Sequence, residues 1–192
     1  MVQPFDAAVL GSHLRPRTLP LCPSIQLWLL GDEVDLTTRV AELFEVDTAP
    51  YWAFCWGSGQ ALARYLLDHP ELVSGQHVVD LGAGSGVTAI AAVQAGARRV
   101  TAVDNDAFAL RAIDENARLN GVSVEISAVL PEHYDVLLAS DVLYEAGNRD
   151  LLEGLSRAGR TVIAADPLRP GNVRFRSDPV RVYEVQTMPN VD

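Results

Sequence analysis

The chain has 192 residues, of which 48% are hydrophobic and 21% charged, and this composition predicts one folded domain with a short extra lobe. Its formal net charge of −10 argues against a protein that binds nucleic acids through phosphate contacts, because such proteins carry basic surfaces. No apolar run reaches the roughly 18 residues that a membrane-spanning helix needs.

The types of polar residue exclude further classes of site. All 15 basic residues are arginines, so no lysine can form a Schiff base. Cys22 and Cys55 belong to no C-x-x-C or Cys/His cluster, so we expect reduced thiols and no metal site. The N-terminus lacks the pattern of a secretory signal, and we expect a cytoplasmic monomer, or a mitochondrial-matrix protein if the source is eukaryotic. A local basic patch stays open around Arg169, Arg174, Arg176 and Arg181.

The first elements are short. The N-terminal segment is predicted to be irregular from its proline and glycine content, and SIQLWLL (24–30) to be a strand. Residues 57–68 predict a helix, because Leu62, Tyr65 and Leu66 have helical spacing and His69 precedes a proline.

From residue 76 the chain alternates between strands and helices. The predicted strands are 76–81, 99–103, 122–127, 134–140, 160–165 and 180–187, and the predicted helices are 87–95, 107–120 and 148–158. This order predicts an α/β fold with a doubly wound, mostly parallel sheet and helices on both faces. Ligands of such sheets bind beyond the carboxyl ends of the strands, which here are followed by the polar segments 82–86, 104–106, 141–145 and 166–169.

The loop DLGAGSG (80–86) has the spacing G-x-G-x-G, which differs from the dinucleotide fingerprint G-x-G-x-x-G. The carboxylate of Asp80 is unfavourable beside a diphosphate but suits a ligand that carries a cation. S-adenosylmethionine carries an ammonium, a sulfonium and a ribose, and no phosphate. Asp104, at the end of the next strand, is placed to accept hydrogen bonds from both ribose hydroxyls.

These motifs resemble those of the seven-β-strand (class I) S-adenosylmethionine-dependent methyltransferases, in VVDLGAGSG (78–86), AVDND (102–106) and DVLY (141–144). A closer resemblance is to the electron transfer flavoprotein β-subunit lysine methyltransferases. It rests on PSIQLWLL (23–30), PYWAFCWGSGQALARYLLD (50–68) and ADPLRP (165–170).

The resemblance implies a Rossmann-like methyltransferase sheet at 57–192 and an N-terminal extension, 1–56, that covers the cofactor site. It implies protein-lysine methylation, with the electron transfer flavoprotein β-subunit as the partner. We expect Asp141 to orient the acceptor ammonium and Tyr144 to form a wall with a hydroxyl partner. The implied cofactor-binding residues are Trp56, Asp80, Gly82, Ala83, Gly84, Gly86, Asp104, Asn105 and Ser140.

The sequence departs from this family at two places. The family ends in a hairpin whose last strand enters the sheet, whereas this sequence stops after VRVYEVQTMPNVD, so we expect that strand to be missing. Many relatives also place an acid after the third strand to hold the adenine amino group. Here only Glu132 is available, and the adenine contact has no assigned residue.

Several alternatives stay open. Asp141 and Asp166 also fit a helix cap and an Asp-Pro turn, and Trp52 and Phe54 fit either the core or an acceptor channel. The acceptor is alternatively another protein of the ribosomal type or a small amine, and a non-catalytic cofactor-binding protein is a further alternative. Methylation of nucleic acids or glutamine amides is disfavoured, since SDVLY lacks the two prolines typical of those enzymes. We expect Glu145, His133 and Arg169 to lie on the surface.

Overall fold

The computed structural model describes residues 13–32, 50–144, 146–167 and 179–190. Its strands are β1 (Leu14–Thr18), β2 (Gln26–Leu30), β3 (His77–Leu81), β4 (Arg99–Val103), β5 (Glu125–Ser127), β6 (Val136–Ser140) and β7 (Thr161–Ala165). Its helices are α1 (Gly57–Asp68), α2 (Val87–Gln94), α3 (Ala107–Leu119) and α4 (Ala146–Arg157). The predicted bounds of α1 and β4 are confirmed, and the other predicted helices differ by one or two residues at an end.

The main sheet has five parallel strands in the order β5-β4-β3-β6-β7. The chain passes from β3 outward to β4 and β5, and it then returns to place β6 on the other side of β3. The strand order therefore reverses between β3 and β6, which confirms the doubly wound prediction. The crevice at this reversal is where such sheets bind their ligands.

Helices cover both faces of this sheet. Val78 of β3 packs in one cluster with Leu62 of α1 and Ile113 of α3, while the next residue, Val79, packs with Leu152 of α4 on the opposite face. Alternate side chains of a strand point to opposite faces, so β3 is buried on both sides. The core thus fixes the central strands whose carboxyl ends carry the candidate site.

An N-terminal hairpin corrects the prediction of an irregular start. β1 and β2 pair antiparallel, from Leu14 opposite Leu30 to Thr18 opposite Gln26. Pro16 made this segment resemble a loop, but proline is tolerated in a strand that has a free edge.

The predicted strand at 180–187 is wrong, because residues 181–187 form no ladder with the sheet. The segment instead ends in an isolated bridge in which Cys55 and Met188 exchange backbone hydrogen bonds of 2.7 and 2.9 Å. Gln60 adds a 2.8 Å side-chain hydrogen bond to the carbonyl of Gln186. This C-terminal segment is therefore attached to α1 and to the residues before it.

The third predicted strand, 122–127, is shorter than expected. The amide of Val122 still donates to the carbonyl of Ala117, so the chain is completing the end of α3 there, and β5 begins only at Glu125.

No helix among the described residues has the length and apolar character needed to cross a membrane. Across the same ranges, no group of three or more histidine, cysteine or acidic side chains is arranged to hold a metal ion. Glu145, Arg169, Arg174 and Arg176 lie outside the described residues.

Candidate functional site

The candidate site lies at the carboxyl ends of β3, β4 and β6, beside the reversal of strand order. The loop after β3 contacts both neighbours: the amides of Gly82 and Ala83 donate to the carbonyl of Val103 at 2.9 and 3.1 Å. On the other side, a Cβ atom on Gly82 would lie 2.5 Å from a methyl carbon of Val142, and the φ of Gly82 is 67°. Only glycine fits both the conformation and the space at this position.

Asp80 is the buried acid of the site, with 1% of its surface exposed. Its Oδ2 accepts a 3.0 Å hydrogen bond from the amide of Ala89 in α2, whereas its Oδ1 has no hydrogen-bond partner. Burial raises the pKa of this carboxyl to about 8, against a partial lowering by the Ala89 amide. A buried carboxylate oxygen without a donor is rare in folded proteins and indicates a place for a ligand donor.

Asp104 is held in place by two backbone amides, one in the glycine loop and one two residues further along its own loop. Its Oδ2 accepts the amide of Gly84 at 2.9 Å, and its Oδ1 accepts the amide of Asp106 at 3.0 Å. The side chain is half-buried, and the neighbouring Asn105 is exposed. Each oxygen of a carboxylate can accept more than one hydrogen bond, so Asp104 keeps acceptor capacity toward a ligand.

The start of α1 adds two residues that sequence reasoning missed. Ser58 and Gln60 are buried, and neither Oγ of Ser58 nor Oε1 of Gln60 has a hydrogen-bond partner. The first amides of a helix lack acceptors within it, and the side chain of Trp56 at the N-cap supplies none. The only feature of the sequence that could have indicated Ser58 and Gln60 is that this helix starts without a residue able to cap it.

This helix start lies beside the strand ends. A Cβ atom on Gly59 would lie 3.0 Å from a methyl carbon of Val87, the first residue of α2, and 3.6 Å from Oγ of Ser140, the last residue of β6. The structure therefore brings the first turns of α1 and α2 together with the end of β6.

The aromatic stretch 50–56 divides into core and surface. Trp52 and Phe54 are 3% and 5% exposed and pack with residues of the hairpin and α3, which favours the core interpretation over a channel wall. Trp56 is only half-buried, and its indole NH donates to the carbonyl of Tyr51 at 3.1 Å. Tyr51 is 60% exposed. Trp56 and Tyr51 thus form a partly open aromatic surface before α1.

The segment after β6 contains a backbone of unusual conformation. Asp141 has a φ of 53°, and it is the one residue other than glycine with a positive φ within the described ranges. Because α4 begins at Ala146, Asp141 is not its N-cap residue. Tyr144 is 73% exposed, and Asp166, after β7, is half-buried. Non-glycine residues in this conformation store strain and are concentrated at functional sites.

The loop between β5 and β6 offers no buried acid. Glu132 and His133 are both exposed there. No residue of this loop is assigned as the adenine contact.

These groups fit S-adenosylmethionine. Asp80 provides an open buried acceptor for an ammonium, Asp104 an acceptor for ribose hydroxyls, and the uncapped start of α1 provides donors for a carboxylate. At Gly82 the glycine loop has no space for a side chain, since a Cβ atom there would collide with Val142.

Comparison with known sequences supports this interpretation. The sequence model of the ribosomal protein L11 methyltransferase (PrmA) family matches residues 59–145, which span α1 to the end of the segment after β6. The electron transfer flavoprotein beta subunit lysine methyltransferase of Xenopus laevis is 36% identical over 179 residues, covering 88% of this chain and 71% of that protein.

The rat electron transfer flavoprotein beta subunit lysine methyltransferase is 38% identical over 164 residues, covering 78% of this chain. The alignment covers 63% of the rat protein, so the chain spans less than two thirds of that relative's length.

One solved structure extends the comparison to the fold. The Pyrococcus abyssi tRNA (uracil-54, C5)-methyltransferase in complex with S-adenosyl-L-homocysteine aligns with a TM-score of 0.52. The match covers 80% of this chain and 34% of that one, at 18% sequence identity. At this identity the similarity concerns the fold alone, and it agrees with the parallel sheet described above.

Proposed function

Because the chain belongs to the electron transfer flavoprotein beta subunit lysine methyltransferase family, we propose that it uses S-adenosylmethionine to methylate a lysine side chain of a protein. The observation that carries the proposal is the open Oδ1 of Asp80, a buried acceptor near the carboxyl end of β3. An ammonium group satisfies this oxygen, and its charge stabilises the ionised carboxylate.

The other cofactor contacts follow from the same geometry. Asp104 accepts the ribose hydroxyls while Gly84 and Asp106 hold its carboxylate in place. The first amides of α1 and the hydroxyl of Ser58 donate to the carboxylate of the amino-acid end. When bound, S-adenosylmethionine supplies an electrophilic methyl group on its sulfonium. Trp56 closes the site from the side of the aromatic stretch.

The acceptor side is built after β6. The Asp141 carboxylate orients the lysine ammonium, and the fixed backbone of Asp141 limits where that carboxylate can point. A lysine amine has an ordinary pKa near 10.4, so it must lose a proton before it can act as a nucleophile. A protein substrate that covers Trp56 and Tyr144 excludes water from the acceptor amine, which lowers that pKa and favours the neutral amine.

The proposed substrate is the electron transfer flavoprotein β-subunit, which the names of the most similar relatives support. The net charge of −10 is compatible with a protein acceptor that presents a cationic lysine. A ribosomal protein is the second candidate, because the L11 methyltransferase model matches the part of the chain that holds most of the site.

The test is transfer of label from methyl-tritiated S-adenosylmethionine to separate samples of electron transfer flavoprotein β-subunit, ribosomal protein L11 and whole-cell extract. We expect label on a lysine of the β-subunit, located by peptide mass, and none with the Asp104→Ala variant. Label on L11 alone would select the second candidate. Label on nucleic acid, or tight cofactor binding without any transfer, would contradict the lysine methyltransferase proposal.

A further inference from the structure

Asn116 of α3 connects two segments that are distant in sequence. Its side chain is fully buried. Oδ1 accepts the backbone amide of Trp28 in β2 at 2.7 Å, and Nδ2 donates to the backbone carbonyl of Ser85 at 2.8 Å. Both ends of one amide group are therefore used, one by the N-terminal hairpin and the other by the glycine loop after β3.

The glycine loop rests on α3 at this point. Ser85 lies between Gly84 and Gly86, and it is 5% exposed. A Cβ atom on Gly86 would lie 3.4 Å from the backbone Cα of Ile113, so the loop already approaches the helix backbone closely. Gly84 in turn donates its amide to Asp104. A shift of the Ser85 carbonyl would therefore move the neighbouring amide that holds the proposed ribose acceptor.

A second asparagine provides a natural contrast. Asn120, one turn after Asn116, accepts the amide of Gln26 at 2.9 Å and donates to its carbonyl at 2.6 Å. Its remaining side-chain hydrogen bond is to the carbonyl of Asn116, 2.7 Å away. Asn120 thus fastens the same hairpin strand to the same helix, but none of these three hydrogen bonds reaches the glycine loop.

We propose that Asn116 is a positioning residue for the cofactor site, through which docking of the β1–β2 hairpin sets the conformation of the glycine loop. The identity of the ligand rests on the proposed function, whereas the link between hairpin and loop does not. Loss of the Asn116 amide leaves the buried Ser85 carbonyl and the partly buried Trp28 amide without this partner, and both segments must move to satisfy them. The loop then spends more time away from the conformation that binds the cofactor.

The experiment compares Asn116→Leu, which removes one hydrogen bond to the hairpin and one to the glycine loop, with Asn120→Leu, which removes two hydrogen bonds to the hairpin and one to the carbonyl of Asn116. The two substitutions change the side-chain volume equally. Hydrogen exchange of peptides that cover 82–86 reports the loop, and calorimetric titration with S-adenosylhomocysteine reports the site. We expect Asn116→Leu to exchange faster in 82–86 and to bind about tenfold more weakly. Asn120→Leu should lower the melting temperature but leave loop exchange and affinity near the wild-type values.

Asn116→Asp isolates the loop contact when its carboxylate is ionised, because it then keeps an acceptor for the Trp28 amide but has no donor for the Ser85 carbonyl. If Asn116→Leu fails to fold, hydrogen exchange and calorimetric titration of Asn116→Asp test the inference instead. Unchanged exchange in 82–86 for a folded Asn116 variant overturns the inference, as does equal acceleration by Asn120→Leu. If the wild type binds no S-adenosylhomocysteine, the proposed function fails, and the exchange data still decide the role of Asn116.

Discussion

The strands of the main sheet carry similar polar residues at their amino ends, here called the amino edge, and at their carboxyl ends, the carboxyl edge. The two edges differ in whether these polar residues have hydrogen-bond partners. At the amino edge, His77 shares a 3.0 Å hydrogen bond with Thr101, and its amide donates to Asp135 at 2.7 Å. Arg99 there makes a bidentate pair with Glu125, at 2.8 and 2.6 Å. These polar side chains have partners within the protein.

The carboxyl edge is different. Oδ1 of Asp80 has no donor although it is buried, and Asp141 has a strained φ of 53°. Polar composition is thus a poor guide to a site. Unused hydrogen-bonding capacity and backbone strain distinguish the edge prepared for a ligand from the edge that stabilises the fold.

The largest expected effect at the carboxyl edge is that of Asp104→Ala. It removes the proposed charge-assisted contacts to the ribose and the acceptor of the Gly84 amide, so we expect the Kd for S-adenosylhomocysteine to rise at least about a hundredfold. Asp106→Ala is the control, because that carboxylate caps α3 through the amide of Phe108. It should lower stability by about 1 kcal/mol and leave the Kd unchanged. Calorimetric titration measures both, and equal Kd values for wild type and Asp104→Ala would refute the ribose assignment.

Asp80→Asn tests the open acceptor with little change of shape. We expect a Kd about tenfold to a hundredfold higher, because the amide cannot provide the charge that pairs with an ammonium. The melting temperature at pH 7 should not fall, since the native Asp80 has no ion-pair partner to lose in the free protein. A variant that binds as tightly as the wild type would place the ammonium elsewhere.

Asp141→Gly tests the contribution of the Asp141 carboxylate separately from that of its strained backbone. Glycine adopts a φ of 53° freely, so the variant carries no backbone strain, while kcat should fall by about tenfold through loss of acceptor orientation. Asp141→Ala should show the same loss of kcat and also unfold more easily, by about 1 kcal/mol. If the glycine variant keeps wild-type kcat in the labelled transfer assay, Asp141 contributes only its backbone conformation.

The raised pKa of Asp80 predicts a dependence of binding on pH. In the free protein this pKa is about 8, above the ordinary 3.8, so the folded state holds an extra proton between these values. The stability of the free protein therefore falls as pH rises from 4 to 8. An ammonium lowers the pKa of Asp80 in the complex, so binding should release a proton and strengthen roughly fivefold from pH 7 to pH 8. Titration in buffers of different ionisation enthalpy measures this release, which should be absent in Asp80→Asn.

The smallest effect is expected at the amino edge. Burial lowers the pKa of His77 below its ordinary 6.5, so the folded state resists protonation and stability is lost as pH falls below 6.5. His77→Gln should show a smaller fall in melting temperature between pH 7.5 and pH 5.5, with no change in cofactor Kd. A changed Kd at pH 7.5 would mean that the two edges are coupled.

Much of the fold could be predicted because local signals agreed with the final structure. The helix Gly57–Asp68 is marked by its apolar spacing and by the proline after His69, and β4 by its short run of mostly apolar and β-branched residues before Asp104. The glycine loop and Asp104 could be placed together because carboxyl ends of neighbouring parallel strands meet at one edge.

The remaining features depend on contacts between distant residues. β1 contains Pro16 and few buried side chains, and only its pairing with β2 makes it a strand. Residues 181–187 are rich in the β-branched and aromatic residues typical of a strand but lack a partner in the sheet. The open oxygens of Ser58 and Gln60 follow from which groups surround them, which no local pattern records.

The bridge between Cys55 and Met188 places a thiol at the contact between the C-terminal segment and the residues just before α1. Cys55 is fully buried there, and Cys22 contacts the carbonyl of Gln60 from the other side. Burial raises the pKa of Cys22 to about 11 and that of Cys55 well above its ordinary value, so both thiols react slowly while the fold is closed. The rate at which these two thiols are alkylated therefore measures how often the structure opens around the start of α1. The measurement needs no engineered label.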